Sequence, residues 1–434
     1  MSLSHTPLKL TIFSLLTLFP AFAQAADTLN AANTAWIMTS TALVLMMTLP
    51  GLALFYGGLV RSKNILSILM QCFAIAGIAS ILWVLVGYSI AFDEGNPYFG
   101  GFGKMFFNGI SESTLAGDIP ESLFAMFQMT FAIITPALII GGFAERTKFS
   151  AVVLFSSLWL ILVYAPITHW VWGGGWLQQM GLLDFAGGTV VHITAGVAAL
   201  VAAIVIGPRK SFGKSATTPH NLTMTVTGAG MLWVGWFGFN GGSALAANGD
   251  AAMAMLVTHI SAATGAVTWM FYEWIKFGKP TALGTVTGMV AGLGTITPAS
   301  GFVGPAGALV IGFIAGIVCF NAVIIIKQKW KIDDSLDVFP VHGVGGIIGT
   351  LLAGIFASTE LGLFSGQGFA DGISSMSEQL QVQAIGVVAT FAYTAVVTYI
   401  LLKIVGLITG LRVDADEETQ GLDIIDHEER GYDL

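Results

Sequence analysis

Charge is what this chain has least of. Lys, Arg, Asp and Glu make up 10% of its 434 residues, against roughly 25% in soluble domains. So thin a supply cannot cover a water-soluble protein of this size, which excludes an ordinary cytosolic enzyme. Basic residues are scarcer than acidic ones, 17 against 25, for a formal net charge of −8. A nucleic-acid partner would need a basic patch and is excluded. Cysteine is nearly missing: Cys72 and Cys319 stand far apart in apolar runs, which leaves no disulfide framework and no metal cluster. There is no Walker A sequence, no HExxH, and no G-x-S-x-G on a plausible strand–turn–helix. Nothing points to an enzyme or to a cofactor.

What is abundant is apolar sequence and glycine. Hydrophobic residues make 55% of the chain, the mean hydropathy is +0.80, and 54 residues are glycine. Small residues at Gly284/Gly288/Gly292, Gly312/Gly316 and Gly345/Gly349 have the spacing that lets membrane helices pack closely. Residues 1–25 hold one basic residue, Lys9, a short apolar core and then Ala23-Gln24-Ala25. That pattern predicts a cleaved secretory signal peptide; the alternative is an uncleaved first span. Cleavage would place the mature N-terminus outside, which fits the inner membrane of a bacterium.

Eleven apolar segments follow, at about 34–60, 67–92, 120–143, 149–167, 186–207, 222–243, 252–276, 281–298, 303–326, 337–357 and 381–408. Each is long enough to cross a bilayer as a helix. The expected fold is therefore an all-α integral membrane protein. Arg61/Lys63, Arg146/Lys148, Arg209/Lys210/Lys214, Lys276/Lys279 and Lys327/Lys329/Lys331 follow odd-numbered spans, and only Lys104 follows an even one. The positive-inside rule then predicts N-out, C-in topology, as an odd number of spans requires.

Spans 1–5 and 6–10 echo one another. Phe55-Tyr56-Gly57-Gly58 matches Phe239-Asn240-Gly241-Gly242, and Val191-His192 matches Val341-His342. Five spans per half make this an inverted repeat, which puts a substrate path at the interface of the halves. Chance similarity among Gly-rich segments is the alternative. Ionisable groups inside spans are functional candidates by default, so His192 and His342 are expected to meet and line a pore. Bis-histidine haem ligation is the rival reading, though no second ligand pair for transmembrane electron transfer is evident. His169 and His259 have no counterparts and read as ordinary polar side chains. The Trp- and Phe-rich stretches at 127–131, 169–176 and 235–243 fit either an interfacial aromatic belt or a cation–π cage for a small cation. Asp184 has the place of an N-cap for span 5 or of a plain interfacial acid.

In combination, these residues are similar to the ammonium transporter (Amt/MEP/Rh) family, most of all its bacterial members. The carriers are Phe-Tyr-Gly-Gly at 55–58, Ala144-Glu145-Arg146, Trp172-Gly-Gly-Gly, Asp184-Phe-Ala-Gly-Gly-Thr-Val-Val-His192, Gly235-Trp-Phe-Gly-Phe-Asn240 and Asp337-Val-Phe-Pro-Val-His342-Gly. The resemblance runs from about residue 33 to the tail. It implies ammonium or ammonia as substrate and a homotrimer with one pore per chain. By position, Phe127, Trp172 and Ser243 would form an outer ammonium site, and Phe131 and Phe239 a stacked gate beneath it. His192 and His342 would line the pore and relay protons, Asp184 would support the outer site, and Thr297 would lie along the pore wall. Pro340 and Met129 depart from the family pattern.

The domain reading is thus a signal at 1–25, a transporter membrane domain at 26–410 and an acidic cytoplasmic tail at 411–434. Nine acids follow Arg412. By composition this tail is solvated and partly disordered; the resemblance adds docking of a PII-type nitrogen regulatory protein. A dedicated ammonium sensor or transceptor is the weaker expectation, since no output domain follows the tail.

Overall fold

The computed structural model describes residues 28–214 and 218–433. The expected signal peptide lies outside them. Among the described residues, eleven helices are long and apolar enough to cross a membrane. We name them α1 (Ala31–Leu59), α2 (Ser62–Phe92), α3 (Glu121–Phe143), α4 (Phe149–Gln179), α5 (Gly188–Ile206), α6 (Leu222–Gly241), α7 (Gly249–Phe277), α8 (Ala282–Ala299), α9 (Pro305–Lys329), α10 (Phe339–Phe356) and α11 (Met376–Ile408). Their starts are written locally. Asn30, Asn221, Asn248, Thr281 and Ser375 each accept a backbone N–H of the following first turn, satisfying donors that no helix can pair internally. Two small antiparallel strand pairs, 95–96 with 99–100 and 115–116 with 119–120, fold the connection between α2 and α3.

One span differs in length from the expectation. α4 does not stop near residue 167: it continues helical through Trp172, breaks at residues 173–175, and adds one turn at Trp176–Gln179. His169 and Trp170 there find backbone partners at the end of α2 and in the connection that follows it. His169 bonds the carbonyls of Ala91 and Asn96, and Trp170 donates to that of Tyr98. His259 lies flat against Trp233, with ring centroids 5.2 Å apart.

Several spans carry a widened turn. Three of these, at Gly188–Ile193, Phe237–Gly241 and Phe339–Gly343, hold His192, Phe239 and His342. Such turns are frequent at functional sites because they re-aim side chains without ending the helix. Here they bring three candidate residues from three helices onto one axis.

The tail corrects the solvated, disordered expectation. It forms two short helices, α12 (Ala415–Gln420) and α13 (Leu422–His427), docked under the bundle. Asp423 accepts the Ser67 N–H at 2.8 Å, and the Asn64 side chain accepts the Leu422 N–H at 2.9 Å. Glu418 takes the Lys210 N–H and the Arg412 guanidinium, at 2.7 and 2.6 Å. Glu418 and Asp423 are buried. Two of the nine acids thus leave solvent, Asp423 to cap helix α2 and Glu418 to pair with Arg412. Asp414, Asp416, Glu428, Glu429 and Asp433 stay exposed as composition predicts.

Candidate functional site

Two cavities face each other along the bundle. The first, about 180 Å³, is lined by Phe124, Gln128, Phe131, Trp172 and Ser243 among others. The second, about 160 Å³, is lined by Tyr56, Lys327, Asp337, Val341 and His342 among others. A file of rings in contact runs between them, tilted at Phe131–Phe239 and stacked from Phe239 to His342. Phe131 and Phe239 lie 4.4 Å apart, His192 follows at 6.1 Å from Phe239, and His342 at 5.2 Å from His192.

In the first cavity Trp172 stands edge-on to Phe131 at 6.0 Å. Its indole N–H donates to the Asp184 carbonyl at 2.9 Å, which fixes the ring. The Asp184 carboxylate itself faces away from the cavity and into the start of α5. It accepts the N–H groups of Gly187, Gly188 and Thr189 at 2.8, 2.6 and 2.8 Å, and the Thr189 hydroxyl. A negative group at that helix end also offsets the dipole. Ser243 donates its hydroxyl to the Phe239 carbonyl at 2.8 Å, so it presents lone pairs to the cavity. Phe127 does not line this space. It is fully buried and packs edge-on behind Phe131 at 5.0 Å.

Gln128 lines the cavity instead, its side-chain oxygen buried and without a partner among the described residues. A lone amide in an apolar helix is the signal that marks it. Phe127 and Gln128 are the i+3 and i+4 positions on either flank of the Phe124–Phe131 stripe, and the cavity lies on the Gln128 side.

His192 and His342, 150 residues apart in sequence, bring their Nδ1 atoms within 3.1 Å. One ring must donate there and the other accept, so the two are held as opposite tautomers sharing one proton. His192 Nε2 has no protein partner among the described residues. Trp236 stacks on the His192 ring at 5.5 Å and 16°. Thr297, expected on the pore wall, lines neither cavity. It accepts the Trp236 indole N–H at 2.8 Å and donates to the Leu293 carbonyl at 2.7 Å. Its place is behind the tryptophan that backs the histidine.

Asp334 was not singled out by its sequence, yet it stands to His342 as Asp184 stands to His192. Each acid precedes its histidine by eight residues. Asp334 accepts the N–H groups of Val338 and Phe339 at 3.1 and 2.7 Å, at the start of α10. Burial and then the neighbouring Asp337 push its carboxyl up to about 7.

Beyond the second cavity, the Ala-Glu-Arg motif builds a charge cluster. Glu145 is bound by Arg61, Asn64 and Arg209 at 2.9, 2.9 and 2.7 Å. Arg209 also binds Asp333 at 2.8 Å. Arg146 is wholly buried and donates to the carbonyls of Gly142, Gly207 and Asp333 and to the Ser335 hydroxyl. Burial raises the Glu145 carboxyl, but Arg209 and Arg61 overcome it and hold the group below the usual range. Asp333 is held low in the same way, against burial, by Arg209.

Residues 35–432 match the Ammonium Transporter Family. A putative ammonium transporter of Methanothermobacter thermautotrophicus is 51% identical, over 94% of this chain and 99% of the relative. Saccharomyces cerevisiae Mep2 superposes with a TM-score of 0.82 at 37% identity, over 90% of this chain and 89% of that one. A solved sensor Amt protein gives a TM-score of 0.85 at 31% identity, over 91% of this chain and 98% of that one. Eleven membrane-spanning helices and this breadth of similarity lead to one assignment: the chain belongs to the ammonium transporter family and is an ammonium transporter.

Proposed function

We propose that this chain carries ammonium into the cell by recruiting it at the Trp172 cavity, removing a proton there, and passing neutral ammonia along His192 and His342. The observation that carries the reading is the ring file from Phe131 to His342, which joins two cavities through buried side chains. Trp172 and Phe131 offer π faces to a cation. Ser243 and Gln128 offer acceptors for its N–H groups, which potassium, of similar charge and size, lacks. Past the phenylalanines a bare ion loses its water and gains nothing in exchange. Neutral ammonia pays far less, and the shared Nδ1 proton of the histidines gives the released proton a relay.

The basic loops on one side support N-out, C-in topology in a bacterial inner membrane. The matched Asp184/His192 and Asp334/His342 arrangements support the inverted repeat. We read Trp172 and Ser243 as the outer site, with Gln128 beside them, Phe127 packed behind Phe131 and Asp184 holding the Trp172 ring from behind. As the resemblance implies, we read Phe131 and Phe239 as the gate and the assembly as a homotrimer. The docked tail is then the cytoplasmic surface that a PII-type regulatory protein would meet. Retention of such a partner by the full chain, and not by a chain ending at Val413, tests that contact.

Uptake of labelled methylammonium into proteoliposomes tests the function. Saturable uptake well above protein-free vesicles is expected. Ammonium-dependent gene expression without any flux would make the chain a sensor instead.

A further inference from the structure

Under the bundle, the end of the chain closes a cavity of about 280 Å³ against the first turn of α2, the size of a small-metabolite site. Lys63 of α2 forms one wall, Asp423 of α13 a second, and Arg430 and Tyr432 a third. These walls are tied down. His220 donates from Nδ1 to the Val60 carbonyl at 2.7 Å, and its Nε2 meets the Tyr432 hydroxyl at 3.0 Å. A methyl carbon on Gly431 would lie 2.6 Å from the Ile65 side chain, so the chain end is pressed onto α2. Lys63 donates one ammonium hydrogen to the Thr419 carbonyl and keeps two others.

The charges that line the cavity do not cancel. Two cations, Lys63 and Arg430, stand with one carboxylate, Asp423, and none of the three is in an ion pair among the described residues. Asp423 is 1% exposed. One of its oxygens takes the Ser67 N–H, and the other, Oδ2, is buried without a partner among the described residues. A buried carboxylate oxygen without a donor is costly and calls for an N–H group. Lys63 and Arg430 call for carboxylates in turn. The ligand that satisfies all three carries one ammonium and two carboxylates, a net charge opposite to that of the lining. A simple anion would leave Asp423 unpaired and repelled, and a diamine would face two cations.

We propose that this cavity binds an acidic α-amino acid, its ammonium on Asp423 Oδ2 and its two carboxylates on Lys63 and Arg430. The ligand bridges α13 and the chain end to α2 and so holds the tail docked.

The test is isothermal titration calorimetry of the full-length assembly in detergent. The probes are L-glutamate, 2-oxoglutarate, L-glutamine and inorganic phosphate. L-Glutamate is expected to bind once per chain. 2-Oxoglutarate lacks the ammonium and L-glutamine the second carboxylate, so each should bind about tenfold more weakly, and phosphate not measurably. Asp423→Asn keeps an acceptor for the Ser67 N–H but loses the charge; it should weaken L-glutamate about tenfold and leave 2-oxoglutarate no weaker. Arg430→Gln, at an exposed position where folding does not depend on it, should weaken L-glutamate about threefold. Absence of L-glutamate binding by the unaltered chain, or undiminished binding in either variant, overturns the proposal. So does 2-oxoglutarate binding as tightly as L-glutamate, which would make the cavity a plain anion site.

Discussion

Gly196 on α5 and Gly343 on α10 meet backbone to backbone: a methyl carbon on Gly196 would lie 2.3 Å from the Cα and N of Gly343. His192 stands one turn before the first glycine and His342 directly before the second. The crossing of the helices therefore sets the Nδ1–Nδ1 contact. Nothing flexible lies at that point to yield. Gly196→Ala should cost about 1–3 kcal/mol, as overpacking does, and should slow uptake by parting the histidines. Thermal unfolding in detergent and methylammonium uptake read the two effects. A stable, fully active variant would mean that the crossing does not position the pair.

The Trp172 cavity should govern affinity more than rate. A cation–π contact is worth ~0.5–2 kcal/mol, so Trp172→Leu should weaken apparent affinity by roughly two- to thirtyfold. Ser243→Ala removes an acceptor and should act in the same direction. Gln128→Leu should do likewise if its unpaired oxygen faces the cation. Concentration dependence of uptake separates affinity from maximal rate, and unchanged kinetics in the Trp172→Leu/Ser243→Ala double variant would remove this site from the pathway.

Acid should release the tail. Asn64 binds both Glu145 and the Leu422 N–H, so the charge cluster and the tail share a residue. Glu145 and Asp333 are held below the usual carboxylate range. Their stabilisation is complete above the unfolded value near 4 and is lost as pH falls through the lower native value. Asp334 has the opposite sign: pushed up to about 7, its contribution is complete below about 4 and is lost as pH rises toward about 7. Global melting mixes these effects, so the probe must be local. Anisotropy of a dye at the chain end should stay high from pH 7 to 5 and drop below about pH 4. Glu145→Gln should show the low value throughout, and release already between pH 7 and 5 would refute the assignment.

The spans were legible because membrane insertion is a matter of length and charge, both of which sequence displays. The histidine pair was legible because His192 and His342 stand at corresponding places in the two half-repeats, whereas His169 and His259, also within spans, have no counterparts. The widened turns around His192, Phe239 and His342 were not, since they arise from packing between helices and no local residue dictates them. Phe127 and Gln128 show a subtler limit. Both lie in the aromatic stretch, one on each flank of the Phe124–Phe131 stripe, so helical periodicity does not tell them apart; only the packing of the neighbouring helices does. The tail's nine acids look solvated by composition. Asp423 finds its partner in the first turns of α2 and Glu418 one in the loop after α5, both more than two hundred residues away, which no local pattern displays.

Transport by neutral ammonia requires a dry, proton-relaying histidine pair. Its most direct test is parallel measurement, in liposomes, of ammonium-evoked current and potassium flux for His192→Ala and His192→Leu. The alanine opens a void that water can fill, which lowers the desolvation barrier against ions; this variant should stop moving ammonium or begin to pass potassium. The leucine keeps the space apolar and should only stop ammonium. If both variants carry ammonium at the wild-type rate and still exclude potassium, the histidines are structural and the mechanism is wrong.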